Sequence, residues 1–193
     1  MVLSNSQNEQ LFRKIVMSNG FLPTHNYICR MKILMVCLGN ICRSPLAEGI
    51  LQDKAQKAGL HWQVDSAGTN RYHIGEAPHP LSQKIARAHG LNISQQRAQK
   101  FLAKDFDTYD KIYALAEDVL SDMKSIAGKY FQTNKVDLLL NELYPASNRD
   151  VPDPFYGNEE GYRRAYELID QACDAIIQKY GNPVKNIKNK VTQ

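Results

Sequence analysis

Apolar residues fall in short blocks along this chain, and the spacing within the blocks alternates between two periods. Ile33-Leu34-Met35-Val36, opened by Met31-Lys32, is a continuous apolar run of the kind that forms a strand buried on both faces. From Ser44 to Ala58 the residues Leu46, Ala47, Ile50, Leu51, Ala55 and Ala58 recur at helical spacing, and Gly59 supplies a stop signal. The alternation continues. Trp62 to Val64 predicts a short second strand, and Pro80 to His89 a helix ended by Gly90. Tyr109 to Leu115 predicts a third strand, followed by a helix through Met123 to Ile126, and Val136 to Leu140 predicts a fourth. Tyr144 to Tyr156 is a long loop rich in Pro and Asp. Gly161 to Lys179 closes the pattern as an amphipathic helix, with Tyr162, Ala165, Leu168, Ile169, Ala172, Cys173, Ile176 and Ile177 on one face. Alternating strands and helices specify an α/β fold, a mostly parallel sheet with helices on both faces. Ligands of such sheets bind beyond the carboxyl ends of the strands.

The first thirty residues do not share this pattern. Met1 to Gln10 is polar, and Asn19-Gly20 and Pro23 punctuate the stretch after it. The expected organisation is an extension over residues 1–30 with Met31 as a natural start, one domain over 31–181, and a polar tail over 182–193. A length of 193 residues suits one well-cored domain, and 43% hydrophobic with 23% charged residues is ordinary for a soluble globular protein. The net charge of +4 is mild, and the basic residues are spread out, with Lys185, Lys188 and Lys190 in the solvated tail, so a nucleic-acid partner is not expected. Cys29, Cys37, Cys42 and Cys173 match neither a secreted disulfide framework nor paired zinc knuckles. No stretch approaches the ~18 apolar residues of a membrane span. Leu11 to Met17 is broken by Arg13 and Lys14, unlike a signal peptide. The expectation is a cytoplasmic protein with reduced thiols.

One segment carries chemistry: Val36-Cys37-Leu38-Gly39-Asn40-Ile41-Cys42-Arg43-Ser44-Pro45. It lies between a buried strand and a helix, where a loop can present several backbone N–H groups to one anion. Gly39 permits close backbone approach or positive φ, and Asn40 also tolerates left-handed geometry. Aligned amide dipoles and a fixed cation beside a cysteine favour its action as a nucleophile, the role expected of Cys37. Arg43 can fold back as a planar fork onto two phosphate oxygens, which Lys cannot match. A lone cysteine at a strand end is usually inert packing. Here the cysteine, the Gly-Asn turn, the arginine, a hydroxyl at Ser44 and a proline in the helix's first turn fall in register.

The stretch VCLGNICRSPLAE, Val36 to Glu48, resembles the signature loop of the low-molecular-weight protein tyrosine phosphatases. That family pairs the loop with an Asp-Pro general-acid loop near its C-terminus, and this chain has Asp153-Pro154-Phe155-Tyr156-Gly157. The resemblance covers roughly Met31 to Tyr180 and implies a four-stranded parallel sheet flanked by helices. It implies that Cys37 attacks phosphorus, that Arg43 and the amides from Leu38 through Gly39, Asn40, Ile41 and Cys42 hold the phosphate, and that Asp153 is the acid. No metal or cofactor is implied. Ser44 resembles the hydroxyl that stabilises the thiolate, against the plainer reading of helix capping. Asn40 resembles a loop-ordering asparagine bonded to a buried serine, here Ser66 in Asp65-Ser66-Ala67. Cys42 resembles a second cysteine that forms a reversible disulfide with the nucleophile, although a small buried packing residue is the alternative. Tyr72, in the loop Thr69 to Gly75, and Phe155 resemble the rings that wall a phosphotyrosine slot, with Leu38 and Ile41 lining the loop. The implied partner is a tyrosine-phosphorylated protein, for which a bacterial autophosphorylating tyrosine kinase is a family-level guess, with phosphate or vanadate as active-site anion.

The chain departs from the family at two supporting positions. Ser94-Gln95-Gln96-Arg97 stands where a histidine is frequent, and Ala116 where an acidic residue is frequent. Three rivals remain. A thioredoxin-coupled arsenate reductase needs two further relay cysteines, and none lies between Cys42 and Cys173. A protein arginine phosphatase tends to have threonine at Ile41, and a phosphate-binding module without catalysis needs neither Cys37 nor Asp153.

Overall fold

Residues 30–181 are described by a computed structural model. The expected extension over 1–30, apart from Arg30, the tail over 182–193 and Cys29 lie outside the described residues. The elements in order are β1 (Lys32–Cys37), α1 (Arg43–Lys57), β2 (Gln63–Gly68), α2 (Pro80–Ala88), α3 (Asp105–Thr108), β3 (Lys111–Ala114), α4 (Glu117–Ala127), β4 (Val136–Leu138) and α5 (Glu159–Tyr180). The strands form one sheet in the order β2-β1-β3-β4, and every pairing is parallel. β1 therefore lies inside the sheet with a partner on each side.

Period-2 alternation divides the core between the faces. Ile33, Met35 and Cys37 of β1 join Leu46, Ile50 and Leu51 of α1 and Tyr162, Ile169 and Ile176 of α5. Leu34 and Val36 face the opposite layer with Phe101, Phe106, Val119 and Met123. Each of these large side chains contributes roughly 2 kcal/mol when taken out of water, so the strand that delivers Cys37 is among the most firmly held parts of the chain.

Several boundaries differ from the periodicity reading, each for a tertiary reason. β2 excludes Trp62 and continues past Val64 to Gly68, because pairing with β1 (Met35 with Ser66, Cys37 with Gly68) carries it through small and polar residues. β3 begins only at Lys111, since Asp110 instead brackets Lys32: its N–H donates to the Lys32 carbonyl and its carboxylate accepts the Lys32 N–H. β4 stops at Leu138, where Leu139–Glu142 winds into a 3₁₀ turn. The short helix α3 has no counterpart in the periodicity; it buries Phe106 against Phe101 and Phe131. On α5 the buried face includes Tyr166, while Leu168 and Ile177 are only partly covered. The Asn158 side chain caps this helix by accepting the Gly161 N–H.

Candidate active site

The segment 38–42 leaves the carboxyl end of β1 and enters α1 directly. Its carbonyls are taken from outside the loop. Cys37 O accepts the Thr69 N–H at 3.0 Å, Leu38 O accepts Asn70 at 3.0 Å, Ile41 O accepts His79 at 2.8 Å, and Cys42 O accepts the Ser82 hydroxyl. Outward-bonded carbonyls leave the loop amides for the concave side, the arrangement of an anion nest. The Asn40 N–H already points there, donating to Cys37 Sγ at 3.2 Å.

The left-handed position falls on Asn40, with φ of 56°, and not on Gly39. Three bonds hold it: Oδ1 accepts the Gln99 N–H at 2.8 Å, and Nδ2 donates to Ser66 Oγ at 2.8 Å and Ser44 Oγ at 2.9 Å. A Cβ at Gly39 would lie 3.1 Å from the His73 ring, which would have to shift to admit it. Ser44 Oγ lies 3.0 Å from Cys37 Sγ. Ser44 is not a cap for α1, since the N-cap position is Cys42 and no side chain caps that end.

Arg43 is buried, and its two terminal nitrogens are engaged by the distant Asp153 loop. One Nη donates to Val151 O at 3.2 Å and the other to Asp153 Oδ2 at 2.7 Å. Its Nε is buried with no partner among the described residues, a donor still to be satisfied. The Asp153 loop is held at two points of its own. Val151 is fully buried and its N–H donates to Leu115 O, while Asp150 accepts the Glu117 N–H at 2.8 Å. Asp150 thereby caps α4 where Ala116, at the N-cap, has no side chain able to do so.

A cleft of about 230 Å³ opens over the loop. Cys37, Gly39, Ile41, Cys42 and Arg43 line it together with Leu38, Tyr72, Phe155 and Asp153, so the residues singled out by sequence converge on one space. Ser44 and Ser66 sit behind the loop, in the hydrogen-bond chain through Asn40. Asn70, His73 and Tyr156 complete the lining and were missed. His73 Nδ1 lies 2.9 Å from Glu76 Oε2, and both His73 and His79 approach the Phe155 ring at 6.1 Å between centroids. The missed side chains carry no motif; proximity to Tyr72 and Phe155 in sequence was the available signal. Cys42 Sγ meets the Tyr162 hydroxyl at 3.4 Å. Burial pushes the Cys42 thiol up to about 11, partly offset by that contact, and burial likewise raises the Tyr162 hydroxyl. Burial lowers His79, whose Nδ1 accepts the Leu81 N–H. Among the described residues no cluster of three or more His, Cys, Asp or Glu side chains could hold a metal ion, and no helix is long and apolar enough to cross a membrane.

The parallel sheet and this loop define a class, the α/β proteins that present a cysteine within an anion-binding nest at the end of a central strand. Comparison with known proteins narrows it. Residues 32–192 match the family model described as low molecular weight phosphotyrosine protein phosphatase. The low molecular weight protein-tyrosine-phosphatase YfkJ of Bacillus subtilis is 37% identical over 150 residues, 76% of this chain and 94% of that protein. The human low molecular weight phosphotyrosine protein phosphatase is 33% identical over 149 residues, again 76% and 94%. Among solved structures, that of B. subtilis YfkJ aligns with a TM-score of 0.71 at 36% identity, covering 78% of this chain and 96% of that one. That of a Drosophila arginine phosphatase gives 0.73 at 31%, covering 79% and 99%. The chain belongs to the low molecular weight protein-tyrosine-phosphatase family, a class of phosphoric monoester hydrolases.

Proposed function

We propose that the chain hydrolyses phosphotyrosine in proteins through a phosphocysteine intermediate, with Cys37, Arg43 and Asp153 as the catalytic residues. The observation that carries this reading is the 2.7 Å contact between Arg43 and Asp153, which brings two motifs 110 residues apart into one cleft above the cysteine. Phosphoryl transfer has a loose transition state, so positioning and charge do most of the work. Cys37 Sγ attacks phosphorus in line as the phenolate leaves. The Arg43 guanidinium and the loop amides take the equatorial oxygens. Asp153 delivers a proton to the leaving oxygen, then accepts one from the water that cleaves the S–P bond. Ser44, 3.0 Å from the sulfur, supports it both as attacking and as leaving group.

The walls suit an aryl group. Phe155 comes from the segment that bears Asp153, Tyr72 from the loop after β2, and Ile41 adds an apolar surface for a ring; all three line the cleft. A second reading, phosphoarginine hydrolysis, draws on the similarity to the Drosophila arginine phosphatase; Ile41 weighs against it. Cys42 is proposed as a redox guard. Peroxide oxidises the Cys37 thiolate to a sulfenic acid, and Cys42 then forms the disulfide with release of water. Cys37, Cys42 and Cys173 are free thiols here, in keeping with action in the cytoplasm. A tyrosine-phosphorylated protein, such as an autophosphorylating kinase, is the proposed partner.

Hydrolysis of an aryl phosphate tests the core of the proposal. The wild type should turn over without added metal and be inhibited by vanadate, and Cys37→Ser should be inert; turnover by Cys37→Ser would overturn the mechanism. Asp153→Ala should keep a phosphoenzyme burst with a good leaving group and lose turnover of phosphotyrosine by about 10²-fold or more. Normal cleavage of both substrates by that variant would place the acid elsewhere. Parallel assays on phosphotyrosine and phosphoarginine peptides decide between the substrates, with phosphotyrosine expected to win.

A further inference from the structure

A continuous hydrogen-bond chain runs from the reacting sulfur to a carboxylate in the second turn of α1. Ser66 Oγ donates to Glu48 Oε2 at 2.6 Å, Asn40 Nδ2 donates to Ser66 Oγ and to Ser44 Oγ, and Ser44 Oγ reaches Cys37 Sγ. The direction of each proton follows from the groups. A carboxylate only accepts, so Ser66 must donate to Glu48 and turn a lone pair to Asn40. Asn40 cannot rotate its amide, because Oδ1 is fixed by the Gln99 N–H. Its second N–H therefore falls on Ser44, whose own hydrogen has Cys37 Sγ at 3.0 Å as its near acceptor, with Ala67 O further off at 3.4 Å. We propose that Glu48 is a positioning residue for the proposed reaction, fixing the proton order of this chain and with it Asn40 and Ser44 around Cys37.

The inference rests on Cys37 being the nucleophile. Glu48 faces Asp65 and Ser66 from β2 and the amide of Gln96 from the segment after α2. Asp65 in turn accepts from the Tyr109 hydroxyl at 3.0 Å and from Gln63. The nearby Arg97 guanidinium is turned onto the carbonyls of Ser94 and Gln96. Burial, reinforced by Asp65 and offset by the bond from Ser66, pushes Glu48 up to about 7. Its protonation then replaces a charge-assisted acceptor with a weaker neutral one. Gln96 Oε1 is buried without a partner among the described residues, so a rotated Gln96 amide can receive the proton of a neutral Glu48 and keep the fold intact.

Glu48→Gln mimics the neutral form and is the informative variant. The experiment measures kcat and KM on p-nitrophenyl phosphate from pH 5 to 9 for the wild type, Glu48→Gln, Glu48→Ala and Cys37→Ser. The ratio of kcat for Glu48→Gln to that of the wild type cancels every titration the two share. It should be near one at pH 5 and fall to about one fifth above pH 8, with KM changed less than twofold. The rate at which iodoacetate alkylates Cys37 should show the same loss. Glu48→Ala, which gives Ser66 no acceptor, should fall further at every pH. A ratio independent of pH would overturn the role of Glu48 even if Glu48→Ala does not fold. A wild type that fails to turn over, or an active Cys37→Ser, would instead defeat the mechanism on which the inference rests.

Discussion

At the scale of single residues, the site depends on where hydrogens point. Asn40 combines a left-handed backbone with three side-chain bonds, and its own N–H lies on the sulfur. Asn40→Ala loses the anchors and also places a Cβ in a conformation that disfavours it by about 1–2 kcal/mol. Asn40→Gly loses the anchors alone. Both should lose at least tenfold in kcat, and Asn40→Gly should be the more stable by about 1 kcal/mol in urea denaturation. Equal stabilities would mean that the loop is not strained at this position. Cys37, Arg43 and Asp153 were legible in the sequence because each sits in a contiguous motif whose residue types have few other uses together. His73, Asn70 and Tyr156 were not, since an unremarkable side chain becomes a wall only through the approach of two loops. Glu48 was legible as the end of the signature stretch, but its link to Ser66 depends on the pairing of β1 with β2, which brings Ser66 alongside Met35.

At the scale of elements, α1 both ends the anion loop and packs its flank. Gly49 lets the segment after α2 come close, because a Cβ there would fall 2.6 Å from Ile93 Cγ2. Two effects oppose each other in Gly49→Ala. Helix propensity gains roughly 1 kcal/mol, whereas overpacking a buried β-branched neighbour costs about 1–3 kcal/mol. The net expectation is a loss of about 1 kcal/mol, read as a lower thermal midpoint; a raised midpoint would show that Ile93 yields. Element order and type were readable from the change of period, since β1 is a continuous apolar run and α1 repeats its apolar residues at helical spacing. The ends of β2 and β4 were not, because the first is extended by its neighbour and the second is cut short by a 3₁₀ turn. α3 is a single turn, too short for periodicity to register.

At the scale of the whole molecule, the loop's order and the fold's stability pull in opposite directions at Glu48. Its carboxyl binds a proton more tightly in the folded state, about 7 against 4.5. The folded chain therefore holds more protons between those values, and stability falls as pH rises through that window. The difference corresponds to about 3 kcal/mol when fully expressed. Glu48→Gln should match the wild type near pH 4 and exceed it by up to that amount at pH 8 in denaturant titrations. An unchanged difference between the two pH values would contradict the linkage. The parallel architecture itself was legible, because only crossovers through helices join strands so regularly spaced.

The placement of β1 between two partners has a consequence for how the cleft breathes. Amide protons of Ile33 to Val36 should be among the last to exchange with solvent, whereas the loop that bears Asp153 and Phe155 joins the rest at a few points around Val151. The proposed nucleophile and the proposed acid should thus belong to different cooperative units. If the Asp153 loop opens alone, the nest should remain formed: in the proposed mechanism a phosphorylated side chain can then be captured, and even transferred to sulfur if its leaving group is good, before any proton donor arrives. Capture and release are then separable events, and the mobility of one loop sets how long the protein keeps what it has caught.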